Sequence, residues 1–513
     1  MRIRFPASLR LAGLMAAALF ANGPLHAQPT PAQPRFEPAP CAFADVAADW
    51  GTQNRIDCGW LHVPETRGRA GGRMLQLWVA IARGDAPAAQ RAEPLAYVHG
   101  GPGFATVDYF FPYFPKSKTW VGMRKDRDVV FMDQRGTGRS QPGLCPELKA
   151  PLEALAREKP PLAERRQRSD ALYQACRERL RADGMDFGAY NTAATAADYE
   201  DLRVALGYPA WNLYGISYGT RVVLQALRAH PDGVRSAIVD SLFPTNSEHS
   251  AEQYTTTARG LEALQLACNA QPACARAYPD IVDRLAQASR WLDAEPVAVP
   301  GGRVRGADFA SSLWSVMVSS AQVQWVPALV YRAAARDAAF IKRFDAIYGG
   351  VPDFGDFRFA QARTVNCYEV FTGDTAPTIR AAAARYPWLV GDDFDPDEEN
   401  RHCAAWQTER APLSFYAPVG SNHPVLLMAG NLDPATPVSD AVLAARHLRN
   451  GHLVLVDGTS HAAMGRDDCT RSIAHAFLRD PSRAPDTACL ATRPPFVIPV
   501  EGVDGFLASM EEK

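Results

Sequence analysis

Seven short apolar runs, most of them ending in a glycine-rich turn and followed by a helical pattern, punctuate the 513-residue chain. They are Leu75–Ala82, Pro94–Val98, Asp128–Met132, Trp211–Tyr214, Val234–Val239, Val425–Met428 and Leu453–Val456. Strands alternating with helices build βαβ units, so the expected fold is α/β, a mostly parallel sheet flanked by helices. Function in such sheets collects beyond the strand C-termini. The alternation breaks twice. A charged helical excursion runs from Pro151 to Arg181, and from 245 to 413 strand signals give way to Ala/Leu/Arg-rich helical stretches. The expected organisation is one discontinuous sheet domain, residues 41–244 and 414–513, around a helical cap at 245–413.

Composition narrows the class. With 47% hydrophobic and 10% aromatic residues the chain can bury enough apolar surface to offset the entropy of ordering. Its 54 Lys+Arg against 56 Asp+Glu give a net charge of −2, which argues against a nucleic-acid partner. Arg2, Arg4 and Arg10 precede the apolar run 11–20, a breaker at Asn22-Gly23-Pro24 and a small-residue site ending at Ala27. That order reads as a secretory signal peptide over 1–27, followed by a Pro/Ala-rich lead-in over 28–40. No later stretch is apolar and long enough to span a membrane, so no membrane association is expected after cleavage.

The ten cysteines form an even set with no C-x-x-C and no zinc-type Cys/His spacing, and no metal is expected. In an oxidising compartment the economical pairing is sequential: 41–58, 145–176, 268–274, 367–403 and 469–489. Longer-range pairs and free thiols remain open alternatives.

The chemistry sits at strand ends. The run Trp211–Tyr214 leads into Gly215-Ile216-Ser217-Tyr218-Gly219 and then a helix, a strand–turn–helix setting that lifts a serine hydroxyl into the open. A serine needs a base, and the base needs an orienting group. Asp433 follows the run Val425–Met428, and His461 follows Leu453–Val456, giving the order Ser217, Asp433, His461. Asp240 is the alternative acid, Asp457 reads as structural, and His402 and His423 fall before the preceding strand. The glycines of His99-Gly100-Gly101-Pro102-Gly103 permit close backbone approach, so the Gly101 and Tyr218 amides are the expected oxyanion donors. No Gly-Lys-Ser/Thr follows, which disfavours a phosphate loop. The aromatic run 108–115 offers Phe110 and Phe111 as apolar pocket walls, with buried loop packing as the equal alternative.

His99-Gly100-Gly101-Pro102-Gly103, Asp133-Gln134-Arg135-Gly136-Thr137-Gly138-Arg139-Ser140 and Gly215-Ile216-Ser217-Tyr218-Gly219 together resemble the proline iminopeptidase and tripeptidyl aminopeptidase branch of the α/β-hydrolases. The resemblance extends from about Cys41 to Pro481. It implies an α/β-hydrolase fold with an inserted helical cap, no cofactor, and hydrolysis of peptide substrates near a free N-terminus. It also implies an acidic group in the cap for the substrate amine, for which Glu369 in Asn366-Cys367-Tyr368-Glu369 is the candidate. Asp133, Arg135 and Arg139 are expected to brace their loop. Ser460 in Gly458-Thr459-Ser460-His461 departs from the family, which commonly has a second glycine there. An esterase on the same triad is the in-class rival, and a catalytically dead binding protein would need a broken triad or a missing oxyanion loop.

Overall fold

The computed structural model describes residues 34–512, apart from 42, 44–48, 253, 351–354, 372–374 and 392–393. The signal peptide expected over 1–27, and residues 28–33 of the lead-in, lie outside the described residues. Eleven strands occur among the described residues. They are β1 (Arg35–Ala39), β2 (Ile56–Pro64), β3 (Met74–Ala82), β4 (Leu95–Val98), β5 (Val129–Met132), β6 (Trp211–Ile216), β7 (Val234–Asp240), β8 (Val297–Val299), β9 (Gly302–Val304), β10 (Ser421–Gly430) and β11 (Leu448–Val456).

Nine of them form one sheet in the order β1-β2-β3-β5-β4-β6-β7-β10-β11. From β5 to β11 every pair is parallel, and β1, β2 and β3 extend the β5 edge with antiparallel pairs. The central strands β4 and β5 are buried at every position, as strands covered by helices on both faces must be. Alternation along β3 divides the side chains between faces. Leu77, Val79 and Ile81 join a core that includes Val222 and Val223, whereas Trp78, Ala80 and Ala82 join one built on Phe111, Phe114 and Trp120. Because β4 lies between β5 and β6, the chain leaves it in opposite directions, opening a crevice at its C-terminal end.

Between β7 and β10 the chain is helical except for the small β8–β9 hairpin, which turns at Gly301 with φ +92°. Residues 261–344 build their own core around Leu264, Leu285, Phe309, Leu313 and Phe344. Much of the later part of the insert packs elsewhere: Val365, Cys367, Trp406 and Val419 join the sheet's own core, whereas Trp388 packs on the 261–344 core. The excursion is two helices, Lys149–Glu158 and Leu162–Ala182, and Tyr173 of the second meets Trp406 edge-on. All ten cysteines are paired, in the five sequential bridges Cys41–Cys58, Cys145–Cys176, Cys268–Cys274, Cys367–Cys403 and Cys469–Cys489. No described helix is long and apolar enough to cross a membrane.

Three features differ from the sequence reading, the first being β2, which is not among the expected strands. Arg35–Ala39, placed in the lead-in, pairs with β2 as an edge strand; Pro38 is tolerated because an edge leaves one row of backbone groups unpaired. The helix Val503–Glu511, grouped with the sheet domain, instead packs on the insert. Leu507 is fully buried there, Phe506 stacks on Trp325, and Asp504 bridges Arg332 and Arg343. Leu507→Ala should therefore lower the unfolding free energy by about 2–5 kcal/mol in a denaturant titration, and a loss below about 0.5 kcal/mol would remove this helix from the insert core.

Candidate active site

Strand β6 ends at Ile216 and the helix Tyr218–Ala229 begins two residues later. Ser217 makes that reversal alone, at φ 53° and ψ −127°, a conformation that costs backbone energy and is kept where the surroundings enforce it. The flanking glycines are required by contact. A Cβ on Gly219 would overlap the Val98 carbonyl, and one on Gly215 would sit 2.7 Å from the Gly219 oxygen. Neighbouring Gly100 packs so close to the turn that a Cβ there would lie 2.7 Å from the Ser217 Cβ. The loops after β4 and β6 thus interlock.

Past β10 and β11, Asp433 and His461 meet: His461 Nδ1 lies 2.8 Å from Asp433 Oδ2. Asp433 also accepts from the Thr436 hydroxyl at 2.8 Å and from the Ala435 and Thr436 amides at 2.8 and 3.1 Å. Burial alone would raise this carboxyl, but the charge and hydrogen bond of His461, with the Thr436 donors, hold it below the ordinary aspartate value. Burial conversely disfavours the imidazolium; the Asp433 charge outweighs it and raises His461 above the ordinary histidine value. With Nδ1 facing the acid, Nε2 is left as the basic nitrogen.

Asp240, the alternative acid, holds a different post at the end of β7. Its carbonyl accepts the Ser217 amide at 3.0 Å, and its carboxylate accepts the amides of Ala463 at 2.8 Å and Met464 at 3.0 Å, with the Tyr214 hydroxyl at 3.2 Å. The adjacent Ser241 hydroxyl accepts the Ala462 amide at 3.0 Å. The backbone just after His461 is therefore tied to the strand beside Ser217. Burial pushes the Asp240 carboxyl up to about 6, against the Met464 donor and the His461 charge. Among the described residues no hydrogen bond joins Ser217 Oγ to His461; such contacts are often open without substrate.

A cavity of about 450 Å³ opens over this turn, lined by Gly101, Pro102, Ser217 and Tyr218 on the sheet side and by Ala310, Ser311 and Trp314 of the insert. Gly101 has φ +44°, and Tyr218 opens its helix, so its amide has no intrahelical acceptor. His99 hydrogen-bonds Tyr97 through Nδ1 at 2.8 Å, and burial, followed by the nearby His461 charge, pushes it down to about 3, so it is neutral. Asp133 accepts the amides of Thr106, Val107 and Arg139, and Arg135 forms a fully buried pair with Asp198, which braces the loop after β5.

Three sequence candidates for substrate contact lie elsewhere. Glu369 is 2% exposed, and its carboxylate accepts the Thr192 amide and hydroxyl, each at 2.6 Å, with Arg221 at 3.6 Å. Thr192 in turn bonds the Tyr218 hydroxyl, so Glu369 supports the residue after Ser217 from beneath and is not among the cavity-lining residues. Phe111 is fully buried against Phe43, Phe114 and Phe131, and Phe110 packs on Tyr97, His99 and Trp120. Phe111 is a core aromatic and Phe110 is half-buried against that core, the packing alternative for that run. The aromatic groups that do line the cavity are Tyr218, Phe243, His249, Tyr254 and Trp314. No strand-end motif marks the last four; a Trp in a helical insert was the only signal available.

Residues 93–466 match the family model of the alpha/beta hydrolase fold. Among curated relatives, a tripeptidyl aminopeptidase of Streptomyces coelicolor is 26% identical over 452 residues, covering 82% of this chain and 80% of its own. The serine protease Hip1 of Mycobacterium tuberculosis is 24% identical over 456 residues, covering 82% and 84%. A carboxylesterase B of Mycobacterium tuberculosis is 26% identical over 462 residues, covering 85% and 86%. With the strand order, the reversal at Ser217 and a family match across most of its length, the chain belongs to the α/β hydrolase fold family.

Proposed function

We propose that the protein is an exported serine exopeptidase that hydrolyses peptide bonds near a free N-terminus, using Ser217, Asp433 and His461. The observation that carries this reading is the Asp433–His461 pair, with the backbone after His461 tied by Asp240 to the strand beside Ser217, and Ser217 and Thr436 lining one cavity. Ser217 Oγ attacks the scissile carbonyl while His461 Nε2 takes its proton. The amides of Gly101 and Tyr218 stabilise the oxyanion, and His461 returns the proton to the leaving amine. Water then repeats the sequence on the acyl-enzyme. No step calls on a metal or organic cofactor. Export rests on the N-terminal pattern at 1–27 and is supported by the five bridges.

An exopeptidase must match a charged ammonium taken out of water. With Glu369 committed to Thr192 and Arg221, the supporting carboxylates are Glu252 and Asp440. Glu252 belongs to the helix that carries cavity-lining His249, and Asp440 opens the helix just after cavity-lining Ala435 and Thr436. The Glu252 Oε2 and Asp440 Oδ2 atoms are buried without a hydrogen-bond partner. Burial and then the Glu252 charge push Asp440 up to about 8, against the charges of Arg259 and Arg221. The esterase reading draws on the carboxylesterase relative and the same triad. It predicts turnover of simple acyl esters with indifference to a free amine.

Three measurements follow. Ser217→Ala and His461→Ala should each lower kcat by at least about 10⁴-fold, and near-normal turnover in either would refute the triad. His461 must be neutral to act, and its raised pKa places the acid limb of kcat/KM above about pH 6.5, with activity rising through it; a limb below pH 6 would contradict the Asp433 pairing. Glu252→Gln should raise KM for a free-amine peptide arylamide about tenfold and leave an N-blocked ester unchanged, whereas equal effects on both would favour the esterase.

A further inference from the structure

The residue before His461 is a serine, and the structure shows what it touches. Ser460 is fully buried. Its hydroxyl donates to the Met317 carbonyl at 2.6 Å and lies 3.4 Å from the Leu432 carbonyl, and its amide donates to the Ser320 hydroxyl at 2.9 Å. The backbone of His461 itself bridges to Ser319. A glycine here would keep the amide contact and lose both hydroxyl contacts.

Each partner has a place in the site. Met317 ends the helix Gly306–Met317, whose last carbonyls have no intrahelical donor, so the Ser460 hydroxyl supplies one. That same helix presents Ala307, Ala310, Ser311 and Trp314 to the cavity. Leu432 immediately precedes Asp433, packs into the insert core and donates its amide to Thr459 at 3.0 Å. The loops of acid and base run so close that a Cβ on Gly430 would overlap the carbonyls of Thr459 and Ser460. One hydroxyl thus meets the insert, the acid loop and the residue bonded to the base.

We propose that Ser460, with Ser320 as its partner, is a positioning residue that couples the seating of the helical insert to the orientation of His461. The proposal rests on His461 being the base. The insert wall that a substrate contacts and the imidazole that activates Ser217 are then joined through the Ser460 hydroxyl on Met317 and the Ser460 amide on Ser320, so an insert that is not seated leaves the base misaligned.

The test compares Ser460→Ala, Ser320→Ala and the double variant with His461→Ala, measuring kcat and KM on a peptide arylamide and the rate at which a fluorophosphonate labels Ser217. Each single variant should lower kcat and labelling together about tenfold, the scale of one lost hydrogen bond at a reacting centre, with KM within about twofold. The double variant should fall below either single, because Ser460→Ala removes the hydroxyl contacts and Ser320→Ala removes the separate amide contact. If both singles keep wild-type kcat and labelling while only thermal stability drops, the hydroxyl is structural and the proposal is wrong. If labelling survives His461→Ala, the base assignment fails and takes the proposal with it. The two failures are read in different variants.

Discussion

Two loops from distant parts of the sequence, one ending in Ser217 and the other following His461, meet on a single buried residue, Asp240. Its carbonyl holds the first and its carboxylate holds the second, through the Ala463 and Met464 amides. Backbone donors aimed at a buried carboxylate are strong and directional, and leaving any of them unmade would cost the desolvation of the group. The arrangement requires β7 to lie between β6 and β10, which the sheet order supplies. Ser217 and the backbone after His461 are therefore both tied to the end of β7.

A second buried layer lies under the turn on the opposite side. Tyr218, Thr192, Glu369 and Arg221 form a chain of polar contacts, and Arg221 stacks 3.8 Å from the centroid of cavity-lining Phe243. Burial disfavours both charges, so the pair persists through mutual attraction and the Thr192 donors. Its position beneath the first residue after Ser217 makes it a support for the oxyanion side of the site, where small displacements matter most.

Much of this was legible in the sequence because strand ends carry local signatures. The runs at Trp211–Tyr214, Val425–Met428 and Leu453–Val456 located the strands, and short glycine-containing turns beyond them located Ser217, Asp433 and His461. Sequential cysteine pairing also agrees with the structure. What escaped is long-range. Ile56–Pro64 mixes Gly, Cys, His and Trp and gives no clean strand period, and β1 contains a proline. Whether Glu369 faces a substrate or a threonine depends on how Phe359–Glu369 docks on the sheet, and nothing local encodes that. Phe110 and Phe111 show the same limit: an aromatic run signals burial, not which surface it covers.

The helix Val503–Glu511 completes a core that begins at Leu261 and includes Leu432, one residue before Asp433. That helix comes after Ser217, Asp433 and His461 in the chain. Domains generally consolidate as units in the order they emerge. Here the core of residues 261–344 is completed by a helix that follows His461, and that core carries the helix Gly306–Met317 at the cavity wall.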